Sequence, residues 1–234
     1  MPTASEDKGG YLLYHSIGQY PGKAEETARA LSEFAHLWAA PDDSQWPRAL
    51  PLKQQFIDLW STLIGAPRGT VTTCESVTAG LHLLFGALPE EQLRGKRVLI
   101  GADCFPSLHF LLAGLQQRYG FLLDTVPLRP GAYWVEDDDV VERWTDGVGL
   151  ALLTFVTSTA SHRCDVRRLA AHGRSVGSLV GIDLTQGAGL VPFDVADPDV
   201  DFAISTSLKW VCGMPGAGML YVRPEVIGQC RPEL

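Results

Sequence analysis

The chain has little that would mark it as secreted, membrane-bound or metal-holding. Its cysteines, Cys74, Cys104, Cys164, Cys212 and Cys230, are odd in number and form no C-x-x-C pair. That pattern predicts neither a disulfide framework nor a zinc site, and it fits the reducing cytoplasm. The 6 histidines lack metal-ligand spacing, so no metal is expected. No apolar run approaches the roughly 20 residues of a membrane helix. The first ten residues, MPTASEDKGG, lack the basic region and apolar core of a secretory signal and read as a mobile polar tail. Positive charge is also short: 19 Lys and Arg against 27 Asp and Glu leave a net charge of -8. That balance argues against nucleic acid or an anionic membrane as the main partner. There is no G-x-S-x-G elbow, no P-loop and no G-x-G-x-x-G after a strand, which removes the common serine-hydrolase and nucleotide-binding signatures. Neither repeats nor low-complexity segments occur.

What is present suffices for a folded domain. The 234 residues are 46% hydrophobic and 20% charged, enough for one large domain or two small ones. Tyr11 to Pro21 reads as a short extended entry. Lys23 to Ala39 is expected to be helical, with Ala28, Leu31, Ala35 and Trp38 on one apolar face. The prolines and aspartates of AAPDDSQWPRALP predict a loop. A second amphipathic helix is expected over Leu52 to Ile64, with Phe56, Leu59, Trp60 and Leu63 on one side.

From Thr70 onward strands and helices alternate. VTTC, RVLIG, FLLDTV, GLALLTFV and SLVGID read as strands. Helices are expected after the cap Ser76, over Pro106 to Tyr119, over Asp137 to Trp144 and over Asp165 to Arg174. The apolar, non-alternating strands predict an α/β fold: a mainly parallel sheet covered by helices on both faces, preceded by a short helical N-terminal segment. Two later runs, VDFAIS and GMLYVR, are expected to join the same sheet. Ligands of such sheets lie beyond the carboxyl ends of strands. That points to the loops at 74–78, 102–109, 155–163, 183–186 and 205–210.

The most informative stretch is GIDLTQGAGLVPFDVADPDVDFAISTSLKWVCGMPGAGMLYVR, residues 181–223. It places a carboxylate, Asp183, at one strand end and a lone lysine, Lys209, after the next strand. A lysine so placed can form an imine with an aldehyde cofactor, and a carboxylate can keep a pyridinium nitrogen protonated. The Asp-x-x-Gln step, the spacing to the lysine and the Gly-rich turn after it resemble the fold-type-I pyridoxal 5'-phosphate (PLP) enzymes. The branch is that of the class-V aminotransferases, most like kynureninase and then the cysteine desulfurases. The segments YLLYHSIGQYP and DCFPSLHF also look kynureninase-like. The likeness covers nearly the whole chain.

The resemblance implies PLP as cofactor and an amino acid as substrate. It implies Lys209 as the imine-forming lysine and Asp183 as the partner of the pyridine nitrogen. Gln186 would lie near the cofactor's phenolic oxygen or the imine. Ser76, Val77 and Thr78 would cradle the phosphate at a helix N-terminus, with Thr206 and Ser207 adding hydroxyls. Phe105 matches the aromatic that stacks on the cofactor ring, and Thr157 falls near the cofactor. His162 and Arg163 are possible polar contacts. Two positions depart from the pattern: Leu208 stands where kynureninases have Tyr and desulfurases His, and Leu108 where the FPSD motif has its aspartate. The expected organisation is an N-terminal arm with helices over 1–65 and a PLP-binding large domain over 66–234. On this resemblance the small C-terminal domain of the family is expected to be absent from this chain. A homodimer, or a heteromer with a chain supplying that domain, is therefore expected. A lyase with β-position cleavage is the leading reading. A non-catalytic or partner-dependent subunit, and other PLP chemistry such as transamination, desulfuration or epimerisation, remain open beside it.

Overall fold

A computed structural model describes residues 10–231. The tail expected over residues 1–10 falls, but for Gly10, outside the described residues. Seven strands form one sheet in the order β1-β7-β6-β5-β4-β2-β3. They are β1 (Val71–Cys74), β2 (Arg97–Gly101), β3 (Leu122–Val126), β4 (Val148–Thr154), β5 (Leu179–Asp183), β6 (Phe202–Thr206) and β7 (Gly218–Val222). The β3-β2-β4-β5-β6 ladder is parallel, and β7 runs against both β6 and β1. The sheet is thus mainly parallel, as the apolar runs predict.

Successive residues of the central strands feed opposite faces. Val98, Ile100, Leu150, Leu152, Phe202 and Ile204 join one core, and Leu99, Ala151, Leu153, Val180, Ile182 and Ala203 join the other. The first core is covered by α3 (Val77–Ala87) and α5 (Pro106–Tyr119), the short α4 (Glu90–Leu93) and α8 (Pro224–Ile227). The second is covered by α2 (Gln45–Leu63), α6 (Asp137–Arg143) and α7 (Val166–Ser175). Ser76 and Asp165 cap α3 and α7, their side chains accepting the amides of Ala79 and Arg168. Each replaces a partner that the helix itself does not supply.

The close fit of the sheet shows at Gly181, which pairs with Phe202 across β5 and β6. A Cβ on Gly181 would lie 1.8 Å from the Phe202 ring, which is fully buried. Gly181→Ala is therefore expected to destabilise the fold by about 3 kcal/mol, as an overpacked core site does. A urea midpoint measured against the unchanged chain checks this.

The N-terminal region departs from expectation in three places. Residues 11–21 are not simply extended: the amides of Ser16 and Ile17 both donate to the Leu13 carbonyl and close a turn. The second helix begins at Gln45 rather than Leu52, so the predicted loop is shorter. Pro47 falls in the first turn, where an N–H has no intrahelical partner to lose. Pro51 lies inside the helix and removes the donor for the carbonyl of Pro47, an exposed residue. The core-facing side of α2 is Phe56, Ile57, Trp60 and Ile64, while Leu59 and Leu63 face outward. Third, α1 (Lys23–Trp38) forms as predicted, but its apolar face is not covered. Leu31, Phe34 and Trp38 are exposed, and Leu37 is its buried residue.

Candidate active site

The carboxyl ends of β1, β4, β5 and β6 come together at one edge of the sheet, and β7 starts there. A cavity of about 350 Å³ opens at that edge. Its wall includes Ser76, Val77 and Thr78 after β1, Phe105 and Leu108 after β2, Val156 after β4, Asp183 and Gln186 after β5, and Thr206, Leu208 and Lys209 after β6. All five loops expected to hold ligand contribute. Ser107, Ser158, Thr185, Pro215 and Gly216 also line it. The glycine turn that delivers Pro215 and Gly216 follows Lys209, and nothing in its local composition separates lining residues from linker.

Lys209 and Asp183 share this cavity without forming an ion pair. Lys209 Nζ lies 5.0 Å from the centre of the Phe105 ring. Burial pulls the amine below its ordinary range, and the negative charge of Asp183 partly opposes that shift. Asp183 is buried at the end of β5, and its Oδ1 accepts the Thr185 backbone N–H at 2.9 Å. Burial pushes its carboxyl up, while the Thr185 contacts and the Lys209 charge pull it back. A buried acid with no ion-pair partner among the described residues suits a ligand that brings a proton or a positive charge.

The opening of α3 forms the third wall. The Ser76 hydroxyl is occupied as a cap, accepting from Ala79 at 3.1 Å. The first-turn amides of Val77 and Thr78 have no intrahelical carbonyl to meet, and the helix dipole favours an anion beside them. Thr78 Oγ1 donates to Ser107 Oγ at 3.2 Å.

Two expected site residues do not line the cavity. Ser207 is buried, and its hydroxyl and amide both donate to the Ala217 carbonyl, at 2.6 and 2.9 Å. That bond fixes the turn into β7. Thr157 Oγ1 accepts the His162 amide at 3.0 Å and shapes its own loop. The His162 ring stacks on Trp134 at 5.1 Å, and neither His162 nor Arg163 reaches the cavity wall. Gln186 does line it, but its amide is already engaged. Its Oε1 accepts the Trp210 indole N–H and its Nε2 donates to the His15 carbonyl, both at 2.9 Å. The indole is a donor only, so the amide orientation is settled by its partners.

A lysine, a buried acid and a helix N-terminus around one cavity are a donor set that a phosphorylated aldehyde with a basic ring nitrogen would satisfy. The aminotransferase class-V family model matches residues 57–234. The chain belongs to that family. Kynureninase from Salinispora tropica is 29% identical over 223 residues, covering 89% of this chain and 51% of the relative. Cysteine desulfurase CsdA from Escherichia coli superposes with a TM-score of 0.79 at 20% identity, over 94% of this chain and 56% of that one. The enzyme C-DES, solved with glycine covalently linked to its PLP cofactor, gives a TM-score of 0.80 at 17% identity, over 94% and 58% of the two chains. The class-V chain described here spans about half the length of the curated relatives it matches. Within the described residues, no helix is long and apolar enough to cross a membrane and no cluster of His, Cys, Asp and Glu is arranged to hold a metal.

Proposed function

We propose that this chain is the cofactor-binding part of a PLP-dependent enzyme acting on an amino acid, with kynureninase-like cleavage at the β-position as its reaction. The observation that carries the reading is the meeting of Lys209, Asp183 and the α3 N-terminus on one cavity. When bound, PLP supplies an electron sink for negative charge at the substrate's α-carbon. The rest of the work falls to this chain. Lys209 would hold the cofactor through an imine to its aldehyde carbon, formed with loss of water, and its amine would hold and move a proton at the substrate α-carbon. Its lowered pKa raises the free-amine fraction that both tasks need. Asp183 would hold a proton on the ring nitrogen. The amides of Val77 and Thr78, with the Thr206 hydroxyl, would hold the phosphate. Phe105 would stack on the ring, a contact worth about 1 kcal/mol beyond burial.

Burial pushes Cys74 and Cys104 up to about 11 and raises Cys164 further. No cysteine of the described residues lines the cavity, although Cys212 shares the Lys209 loop.

A second reading rests on α1. Its exposed Leu31, Phe34 and Trp38, with Trp46 and Leu50 nearby in sequence, form an apolar face that a partner would cover. The partner is a second copy or a chain carrying the small domain, and on this reading the protein turns over substrate only in that company.

One experiment separates the two. The chain is loaded with PLP and offered kynurenine, cysteine and a panel of other amino acids, alone and with a C-terminal half taken from a kynureninase. Products are identified by mass spectrometry. Cleavage of kynurenine supports the first reading, and dependence of that cleavage on the added half supports the second. Keto-acid, sulfide or the inverted amino acid as the main product would overturn β-cleavage.

A further inference from the structure

The segment ahead of α1 runs across the loop that carries Lys209 and touches its backbone directly. The Gly18 amide donates to the Leu208 carbonyl at 2.8 Å. A Cβ on Gly18 would lie 1.8 Å from the Lys209 carbonyl oxygen and 2.8 Å from Cys212 Cα. Glycine is the residue that lets two backbones come this close. Lys23 Nζ then donates to two carbonyls, Gly18 on the arm at 2.6 Å and Gly213 on the loop at 3.2 Å. Beside them the Trp210 indole stacks on Tyr14, with centroids 5.8 Å apart and planes 10° from parallel. The Gln186 amide ties the same indole to the His15 carbonyl.

The loop needs such support. Cys212 has φ 59, a left-handed conformation that side chains other than those of Gly, Asn and Asp adopt at a cost. Within the loop, the Cys212 amide meets the Lys209 carbonyl at 2.9 Å and the Gly213 amide meets the Ser207 carbonyl at 2.7 Å. A tight turn held by two internal bonds is a poor platform for a long, flexible side chain. The arm adds restraints from a segment about 190 residues away in sequence, and Lys23 is the charged member of that set.

We propose that Lys23 is a positioning residue for Lys209. Its ammonium pins the arm to the loop, Gly18 seats the arm against the Lys209 peptide, and together they hold the turn that aims the amine into the cavity. This rests on the reading of Lys209 as the covalent residue. The half-buried position of Lys23 makes its two charge-assisted bonds stronger than exposed ones would be.

The test has two readouts on the full chain. Hydrogen exchange is followed in the PLP-free protein for a peptide covering 207–214. In Lys23→Met that peptide is expected to exchange about tenfold faster, as loss of a charged hydrogen bond implies. Lys23→Arg, which keeps donors for both carbonyls, is expected to stay close to the parent. Peptides from β4 and β5 should not change. PLP is then added at a subsaturating level and fixed with borohydride, and the adduct on Lys209 is expected to fall about tenfold in Lys23→Met alone. If Lys23→Met proves insoluble, Lys23→Gln, which keeps one neutral donor, is expected to give an intermediate change. Unchanged exchange over 207–214, or equal loosening of β4 and β5, would overturn the proposal. If the parent takes no PLP while the loop still loosens, the PLP reading fails and the clamp stands. If the parent is labelled while the loop is indifferent to Lys23, the clamp fails and the PLP reading stands.

Discussion

Lys209→Ala is expected to abolish covalent capture of PLP. The parent should show a visible absorbance band on PLP addition and, after borohydride, a pyridoxyl mass fixed on the peptide containing Lys209. The variant should show neither. Among the described residues no other lysine lines the cavity. The amine is also prepared for the task. Burial lowers its pKa, which raises the fraction of uncharged nucleophile at neutral pH relative to an exposed lysine. Loss of turnover should exceed about 10³-fold, because proton transfer at the substrate α-carbon disappears along with the covalent bond. The fold should survive the change. Among the described residues, the Lys209 ammonium makes no hydrogen bond or ion pair, and its nearest specific contact is the Phe105 ring. A cation–π contact of that kind contributes about 0.5–1 kcal/mol. The melting temperature should therefore stay within about 3 °C of the parent. A variant that keeps both the absorbance and the fixed adduct would move the covalent role to another residue.

The parts of this architecture that local sequence encodes are the parts that could be read from it. Apolar runs such as RVLIG and GLALLTFV become central strands because both of their faces are covered, and their polar residues, Arg97 and Thr154, fall at strand ends. Ser76 and Asp165 cap helices because a short polar side chain ahead of an apolar period satisfies orphan amides. Asp183 and Lys209 were legible as a pair because each follows a strand at the same edge, and topology does the rest. The expected site residues whose polar groups are already engaged share a physical origin. Ser207 and Thr157 carry suitable hydroxyls at suitable positions, yet each is taken by a carbonyl or amide that only the folded turn brings near. Gln186 lies on the cavity, but its amide is claimed by His15, 171 residues away in sequence. The crossing of Gly18 over Lys209 depends on such a distant partner too, whereas the turn at residues 13–17 is closed by local bonds to the Leu13 carbonyl. The start of α2 is a different case. Its prolines and aspartates suggested a loop, and the chain tolerates Pro47 and Pro51 because one falls in the first turn and the other removes the donor to the carbonyl of an exposed residue.

Asp183→Asn should separate what the fold wants from what the chemistry wants. In the free protein the carboxyl is buried, and burial raises its pKa above that of an aspartate in the unfolded chain, about 3.9. Between those two pKa values the folded state holds more protons than the unfolded state. Stability therefore falls as pH rises from about 3.9 through the folded pKa, and levels off above it. Asparagine carries no charge to desolvate and keeps an oxygen for the Thr185 amide. The PLP-free variant should melt roughly 3 °C higher than the parent at neutral pH. Its stability should also lose this part of its pH dependence. Catalysis should move the other way. A neutral amide cannot hold the proton on a pyridine nitrogen, and the substrate α-carbon then loses its electron sink. Turnover should drop on the order of 10²–10³-fold, in line with removing one electrostatic group aimed at developing charge. Lys209 would still be labelled, since its covalent bond does not pass through Asp183. Thermal melts across pH and turnover with PLP, measured on the same preparation, give both halves of the comparison. A variant both stabilised and fully active would make Asp183 a strand-end residue with no part in the reaction. One destabilised at neutral pH would mean that the carboxylate already has a cationic partner in the free protein, and that the cavity is not waiting for one.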